Sequence, residues 1–467
     1  MVMSRRESFE FGDFFLDVGE RKLVRRDGVT NGPLPEKAFQ TLVHLVRHGG
    51  TLLTKEELLL TVWPDTIVEE NNLGKAIHAI RHCLGERIGE QKYIETVPKH
   101  GYRFVAKVRR IFDDTDHPLA VQVAQDVIGH PTRSPAYDLY LRGKVKAGSE
   151  NREDTEAAIK VLEAAVAIDP NLAGAYAQLA RAYNTVAFKF SSETQAKVYH
   201  ENAEVAILKS LALDPELAEG HFARGLILWT KTKGFPHEQA IQSYKRSLEL
   251  DPDDDETHHQ LSMVYSHVGL LNEAQERVRH ALEINPNNTM ARFRVGVYDA
   301  YQGKFEDAIN VFKTIPRDVS PLLVDRCMAD VFVQIGRLKE AEEIVERYLE
   351  KHPNDEGGSF TSVKAVLLAK RGKTLEAEAA IYRAVEAGHS FGHFHHTAHN
   401  IASAYAAMKR PEDAVHWLES ASDEGFPNPT YFAIDPNLVT IRHHPRFVDL
   451  MAKLQPQWQR FMHLSST

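Results

Sequence analysis

The pattern of apolar and polar residues changes several times within the first hundred positions, which predicts a domain of short, mixed elements. Residues 9–17, which are rich in aromatic side chains, and residues 21–26, which centre on Leu23 and Val24, look like strands, and Gly19 lies between them as a turn signal. Strand-like composition returns at 93–97 and 102–108, and the residues between these segments predict a hairpin. We therefore expect strands at both ends of this domain.

Three helices are predicted between these strands. Residues 35–48 and 69–84 space their apolar side chains three and four positions apart. A shorter helix, 54–62, begins at a capping box, in which the Thr54 hydroxyl caps a backbone N–H while the Glu57 carboxylate reaches back. The order strands, helix, capped helix, helix, hairpin indicates an α+β domain.

A fixed repeat begins near residue 137 and decides the architecture of the rest of the chain. An alanine recurs early in the second helix of each unit, where two helices cross closely, and Asp-Pro or a similar pair ends many units. Two longer spacings indicate insertions near 187–197 and 231–236. The pattern resembles the tetratricopeptide repeat in about eight copies. The recurring residues are Ala158, Ala203, Ala240, Ala274, Ala308, Ala341, Ala377 and Ala414.

These patterns predict a mostly α-helical chain of four segments. The α+β domain covers 1–110, and a linker with three prolines and no sustained period covers 111–136. An α-solenoid of about eight helix pairs covers 137–426, and 427–467 form a helical cap.

Charge and cysteine content narrow the functional classes. Residues 1–110 hold 18 basic and 15 acidic side chains, whereas the remainder holds 38 and 50. A mildly basic head on an acidic body suits a nucleic-acid-binding head. The two cysteines are too few for a disulfide framework, and the sequence contains neither a secretory signal nor a membrane-spanning stretch. We expect a cytoplasmic protein with no membrane partner.

The helix predicted at 69–84 has two opposed faces. Leu73, Ile77, Ile80 and Leu84 form an apolar stripe, and a row of hydrogen-bond donors lies opposite. Such a polar face either reads base edges in DNA or is simply solvated, and the pattern alone favours solvation.

The order of elements changes that weighting, because residues 9–108 resemble the winged helix-turn-helix of OmpR/PhoB-type transcription regulators. The segments that carry the resemblance are PEKAFQTLVHLVRHGG, LLTKEELLLTVW, NNLGKAIHAIRHCLG and YIETVPKHGYRFV. It implies double-stranded DNA as partner, with the helix 69–84 in the major groove and the hairpin, or wing, at the adjacent minor groove.

The resemblance also implies roles for individual residues. The base-reading set is Asn71, Asn72, Lys75, His78 and His82. The set at phosphate or in the wing is Thr54, Lys55, Arg81, Thr96, Lys99, His100 and Tyr102.

The domain order departs from that of two-component regulators, because no receiver precedes the winged domain. The layout resembles ToxR-type regulators, although a transmembrane helix is absent from the sequence. Control by phosphorylation is therefore in doubt. In such proteins the loop that corresponds to 63–68 often touches RNA polymerase. A plain connector between two helices explains these residues equally well. A dimer on DNA is a further arrangement that the resemblance allows.

Other candidate chemistry is weak. His395 and His399 have the spacing of a helical metal pair, but packing and capping explain them more simply, so we predict no metal site. Cys83 is better explained as a small apolar side chain than as a redox switch. Motifs for phosphate binding, metalloproteases, serine hydrolases and kinases are absent from the sequence, so neither enzymatic activity nor a cofactor is expected.

The sequence thus favours a DNA-binding transcription regulator whose repeats receive a protein or peptide partner or another signal. The competing hypotheses are an interaction scaffold whose winged domain does not bind DNA and, more weakly, a metal-dependent enzyme. For the regulator, we expect an apolar groove lined by the first helices of the repeats. Its exposed residues should include His259, Met263, Phe293 and Val297, unless these pack against the linker or the cap.

Overall fold

Within the first 112 residues, the described part of our computed structural model contains seven strands and three helices, and the described residues that follow form helices. The contacts between residues divide the chain into two units, 1–131 with 284–288 and 132–283 with 289–467, and we describe each by itself. The structure describes residues 7–18, 21–25, 34–63, 70–86, 92–97, 100–112, 134–148, 151–191, 193–316, 321–355, 357–388 and 393–466. Most of the predicted linker, 111–136, lies outside these residues.

The N-terminal sheet has four antiparallel strands in the order β3-β2-β1-β7. The prediction of one strand over 9–17 is wrong, because the chain reverses at Gly12, whose φ of 52° suits glycine. The aromatic rings of Phe11 and Phe14 then lie 6.0 Å apart and both are buried. The strands are β1 (Glu7–Phe11), β2 (Phe14–Asp17), β3 (Lys22–Arg25) and β7 (Val108–Phe112).

A second, three-stranded sheet has the order β4-β6-β5 and contains the wing. The second wing strand was predicted to run through residue 108, but β6 ends at Phe104 and β7 joins the other sheet, where it pairs with β1. The sequence analysis also missed β4, which pairs with β6. The strands are β4 (Leu52–Thr54), β5 (Ile94–Val97) and β6 (Gly101–Phe104).

Three helices pack with these sheets around one core. They are α1 (Glu36–Arg47), α2 (Lys55–Val62) and α3 (Glu70–Cys83), which confirms the three predicted helices. Leu42, Leu58 and Ile80, one from each helix, are fully buried in that core.

The second unit confirms the predicted repeats, since its described residues contain eight successive helix pairs. Every alanine of the predicted series is fully buried, as expected where a second helix crosses a neighbour closely. The pairs are α4/α5 (Pro135–Ala147, Arg152–Ile168), α6/α7 (Ala173–Phe190, Glu193–Leu213), α8/α9 (Ala218–Leu228, His237–Leu250), α10/α11 (Asp255–His267, Leu271–Ile284), α12/α13 (Thr289–Tyr301, Phe305–Thr314), α14/α15 (Pro321–Gln334, Leu338–Lys351), α16/α17 (Ser359–Lys370, Thr374–Gly388) and α18/α19 (Phe394–Ala407, Pro411–Asp423).

The tail after the eighth pair contains α20 (Pro429–Ile434) and α21 (Pro445–Ser466), and it contacts the fourth pair as well as the eighth. Asn428 donates its side-chain amide to the Ser266 carbonyl at 2.7 Å. The Trp458 indole N–H donates to the Gly269 carbonyl at 3.1 Å. The tail therefore folds back over the middle of the repeat unit.

The prediction that the four groove residues are exposed is wrong in most cases. Phe293 is 1% exposed and its ring centroid lies 5.6 Å from that of Phe312, on the second helix of the same pair. Val297 and His259 are also buried, and Met263 is half-buried. Packing within each pair and the returning tail account for this burial.

Among the described residues, none of the helices combines the length and the apolar character that crossing a bilayer requires.

Candidate DNA interface

Helix α3 has the two opposed faces that its sequence predicts. Leu73, Ile77 and Ile80 are at most 2% exposed and pack in the core with α1. On the other side Asn72, Lys75 and His82 are exposed and His78 is half-buried; the side chain of Asn71 lies outside the described residues. The burial of one face fixes the rotation of the helix, so a row of polar side chains points away from the core.

The N-terminus of α2 forms the predicted capping box. The Glu57 N–H donates to the Thr54 hydroxyl oxygen at 3.1 Å, and the Thr54 N–H donates to the Glu57 carboxylate at 2.8 Å. These bonds from Thr54 hold the pKa of Glu57 below its usual value. The Lys55 N–H donates to the His100 carbonyl at 3.1 Å.

These bonds change the role expected for Thr54. Its hydroxyl group is engaged within the capping box, and the backbone N–H groups of Lys55 and Glu57 at this helix start have internal partners. The structure therefore assigns Thr54 to the start of α2 and to the position of the wing turn. A phosphate contact by the Lys55 side chain, which is half-buried, stays a prediction.

The wing is the hairpin of β5 and β6. Thr96 pairs with Tyr102 in register, and His100 is exposed at the turn, whereas Lys99 lies outside the described residues. The strand β6 begins at Gly101, where a Cβ atom would lie 1.9 Å from the Leu53 carbonyl oxygen on β4. Glycine at this position is therefore what allows β6 to lie against β4.

Arg81 connects α3 to the wing. Its guanidinium donates from Nη2 to the Ile94 carbonyl at 2.9 Å and to the Thr96 hydroxyl at 2.8 Å. Glu86 lies on its other side, with 3.8 Å between the Arg81 Nε and a carboxylate oxygen, and accepts the Tyr93 N–H at 3.1 Å. The phosphate contact predicted for Arg81 competes with these internal bonds, which fix the wing relative to the recognition helix.

Two residues of this arrangement were missed in the sequence. Glu86 is buried, and its carboxylate accepts the backbone N–H of Tyr93, directly before the first wing strand, and that of Ile94, its first residue. In the sequence, Glu86 follows Gly85 at the end of the predicted helix. Its burial appears only in the folded structure, where a buried charge must find partners. The structural importance of Gly101 had a clearer signal in the segment GYRF, in which glycine begins a strand.

Two other candidate residues near this interface, Cys83 and Trp63, have surroundings that indicate structural roles. Cys83 is buried, which raises the pKa of its thiol and agrees with its interpretation as a small apolar side chain. Trp63 packs half-buried against the core, with the Lys37 ammonium 5.7 Å from the centre of its ring. Of the loop 63–68, for which a polymerase contact was considered, residues 64–68 lie outside the described residues.

Models of protein families match stretches in both parts of the chain. The model of the family "Transcriptional regulatory protein, C terminal" matches residues 30–104. Two tetratricopeptide-repeat models match residues 243–276 and 328–390.

Curated relatives match a quarter of the chain or less. The transcriptional regulator HilA of Salmonella typhimurium is 38% identical over 119 residues, which are 25% of this chain and 21% of that protein. The transcriptional activator CadC of Escherichia coli is 32% identical over 76 residues, which are 16% of this chain and 15% of that protein. The chain thus spans about a fifth or less of the length of these relatives.

Solved structures match each part separately. The DNA-binding domain of Escherichia coli CadC is 25% identical and covers 23% of this chain and 98% of its own, with a TM-score of 0.21. The repeat protein TTC0263 of Thermus thermophilus is 24% identical and covers 38% of this chain and 87% of its own, with a TM-score of 0.30.

Proposed function

We propose that this chain, which carries an OmpR/PhoB-type domain of the transcriptional regulatory family followed by tetratricopeptide repeats, is a sequence-specific DNA-binding transcription regulator. The observation that supports this most strongly is helix α3, whose polar face is exposed while its apolar stripe is buried. Helices of this kind enter the major groove, where each base pair presents a distinct set of donors and acceptors. The proposed site of action is the cytoplasm, because bacterial DNA lies there.

The exposed side chains have chemistry suited to base edges. Asn72 offers an amide that can bond adenine, and the Lys75 ammonium can donate to guanine. His78 and His82 extend the same face along the helix. We assign base reading to this row, together with Asn71.

The wing supplies the second part of the proposed interface. His100 is exposed at the turn, and Lys99 is expected at its tip. Both would lie beside the phosphate backbone or the minor groove when α3 occupies the major groove. Because Arg81 joins α3 to β5, we propose that the helix and the wing bind DNA as one rigid surface. Dimerisation on DNA and a contact of the loop 63–68 with RNA polymerase extend this proposal.

The repeat unit is proposed to receive a protein or peptide partner. Its acidic composition opposes a nucleic-acid ligand. The surface of α12 near Phe293 is buried, so a partner cannot bind there. We propose instead that the partner contacts apolar side chains that remain exposed. Val198, Val205 and Leu208 are each more than half exposed on α7, and apolar side chains in solvent mark candidate contact surfaces.

The DNA-binding proposal is tested by selecting preferred sites from random duplexes with the full-length chain. The Lys75→Ala variant should select a different site and bind the wild-type site more weakly, at a cost of about 1–3 kcal/mol. Lys22→Ala is the matched control, since Lys22 is equally exposed but lies on the edge strand β3. It should select the wild-type site.

The salt dependence of binding gives a second measurement. Affinity should fall with salt concentration, with a log–log slope of about −0.9 for each phosphate neutralised. A wild-type chain that selects no site and binds no duplex at low salt would contradict the proposal and support the interaction scaffold. An unchanged site for Lys75→Ala would contradict only the assignment of its reading face.

A further inference from the structure

Four histidines from distant parts of the repeat unit lie together. His267 ends α10, and His393, His395 and His396 lie at the start of α18. One ring nitrogen of each lies within 4.8 Å of the corresponding nitrogens of the others. The i,i+4 pair considered from the sequence is not this group, because His399 contacts Asp435 instead, at 3.0 Å.

Hydrogen bonds fix the protonation of the two most buried rings. The Nδ1 atom of His267 lies 2.8 Å from the Met263 carbonyl oxygen, and that of His395 lies 2.9 Å from the Glu424 carbonyl oxygen. A carbonyl oxygen only accepts, so each Nδ1 must carry the proton. The Nε2 atom of each neutral ring therefore presents a lone pair.

These two lone pairs have no protein donor. The Nε2 atoms of His267 and His395 are buried and make no hydrogen bond within the described residues. A buried acceptor without a partner costs free energy, and in native proteins such groups are usually satisfied by another atom or ion. Histidines that bind metals commonly have this arrangement, with one ring N–H donated to a carbonyl and the other nitrogen directed at the ion.

The surroundings favour neutral nitrogen ligands. The rings of Trp229 and Phe426 lie 4.9 Å and 5.4 Å from that of His267. Burial, followed by the charges of neighbouring groups, lowers the pKa of His267 and of His395 well below the usual value, so both rings stay neutral. Neutral imidazole is the form that coordinates metals.

Two carboxylates of this region are paired elsewhere, and, after burial, the positive charge of Arg294 contributes to the lowered pKa of His267 and of His393. The carboxylate of Asp330 accepts a bond from Arg326 at 2.8 Å, and Asp435 lies against His399. The candidate donor set therefore consists of imidazole nitrogens alone. Imidazole suits zinc, copper, nickel and iron, whereas magnesium and calcium require oxygen ligands.

We propose that His267, His393, His395 and His396 bind a divalent transition-metal ion, with Zn²⁺ as the expected occupant. Tetrahedral zinc with four nitrogen ligands at its usual bond lengths places those nitrogens roughly 3.4 Å apart. In the structure the four nitrogens lie within 4.8 Å of one another. Rotation of the half-buried His393 and His396 side chains would bring them to the separation that zinc requires. The bound ion joins the fourth helix pair to the eighth. This proposal does not depend on DNA binding.

The experiment uses full-length chain purified without a polyhistidine tag and stripped of metal with a chelator. Calorimetric titration with Zn²⁺ should show one bound ion per chain, and the chain should unfold at a higher temperature with zinc than without. Co²⁺ in its place should give the visible absorption bands of a tetrahedral site. Mg²⁺ should give neither response.

Asparagine variants isolate the metal-binding atom. His267→Asn and His395→Asn keep an amide near the position of Nδ1, which can still donate to the Met263 or Glu424 carbonyl, but remove Nε2. The affinity for Zn²⁺ should fall by about tenfold or more in each. His416→Asn is the control, since His416 is exposed on the adjacent helix α19, and its affinity should equal that of wild type.

Specific outcomes would overturn the proposal. One is a stripped wild-type chain that takes up no stoichiometric Zn²⁺, Co²⁺, Ni²⁺ or Cu²⁺. Another is a His267→Asn, His395→Asn double variant that keeps the wild-type affinity. If the buried variants do not fold, His396→Asn replaces them, because this half-buried ring is less involved in packing. Unchanged zinc affinity in that folded variant would show that these histidines only pack against one another.

Discussion

Replacing Arg81 with alanine distinguishes a bracing role from direct contact with DNA. In the structure its guanidinium donates two hydrogen bonds to the first wing strand, at 2.9 Å and 2.8 Å. A bond from a charged donor contributes roughly 1.5–3 kcal/mol. Because the Arg81 side chain is 27% exposed, solvent screening reduces this contribution. We therefore expect the pair of bonds to stabilise the helix–wing contact by about 2 kcal/mol.

Hydrogen exchange of the full-length chain, followed by mass spectrometry, measures this effect where it acts. Loss of about 2 kcal/mol should speed exchange of the β5 amides by roughly 30-fold. Arg103→Ala is the matched control in the same hairpin, since Arg103 pairs with Glu95 across the strands at 2.7 Å. The Arg103 and Glu95 side chains are 36% and 32% exposed, so solvent screens this single pair. It contributes at most about 1 kcal/mol, and exchange should rise by about fivefold or less.

A role for Arg81 at a DNA phosphate predicts the opposite combination. The free variant would then exchange like wild type, and the salt dependence of DNA binding would weaken by about 0.9 in log–log slope. This pair of results would refute the bracing role. The bracing role instead predicts faster exchange in the absence of DNA.

Two further predictions test close packing in the same unit and in the repeats. Gly101→Ala should speed exchange of β4 and β6, because the added Cβ would lie 1.9 Å from a backbone oxygen; Gly74→Ala on α3, where nothing lies within 4 Å, should not. Wild-type exchange in Gly101→Ala would contradict the close approach. Burial raises the pKa of the thiols of Cys83 and Cys327, so the neutral forms persist to higher pH. Iodoacetamide should therefore label the folded chain at least about tenfold more slowly than the unfolded chain, and rapid labelling of the folded chain would contradict this.

Features set by neighbours in sequence were predictable. The stripe of α3 follows from a period of 3.6 residues, and the capping box joins Thr54 to Glu57 across three positions. The repeat alanines were predictable for another reason, because the same close crossing recurs eight times and only a small side chain fits it.

The strand boundaries were less predictable, because buried apolar residues of two adjacent strands look like one segment in the sequence. Residues 9–17 contain four phenylalanines and a leucine, and the turn at Gly12 lies between them. The apolar character continues because Phe11 and Phe14 enter the same core from two strands. Likewise β6 and β7 belong to different sheets, although the sequence between them contains neither glycine nor proline.

The environment of the first helices in the repeats depends on distant residues. Nothing near Phe293 in sequence indicates that Phe312 and the fold of its pair will cover its ring. The histidine cluster has the same origin, since the seven described helices α11 to α17 lie between His267 and His393 in the chain. The local sequence shows only the spacing of His395 and His399. In the structure His395 contacts the Glu424 carbonyl, whereas His399 contacts Asp435.

The end of α10 is where the tail and the proposed metal site meet. Asn428 holds the Ser266 carbonyl, and Trp458 holds that of Gly269, on either side of His267 in sequence. Gly269 has a φ of 84°, which fixes the turn that presents these carbonyls. An ion bound to His267 would stabilise the same turn, so metal binding and tail docking should be linked. Because linkage is reciprocal, removing the Asn428 contact with an Asn428→Ala substitution should also weaken zinc binding.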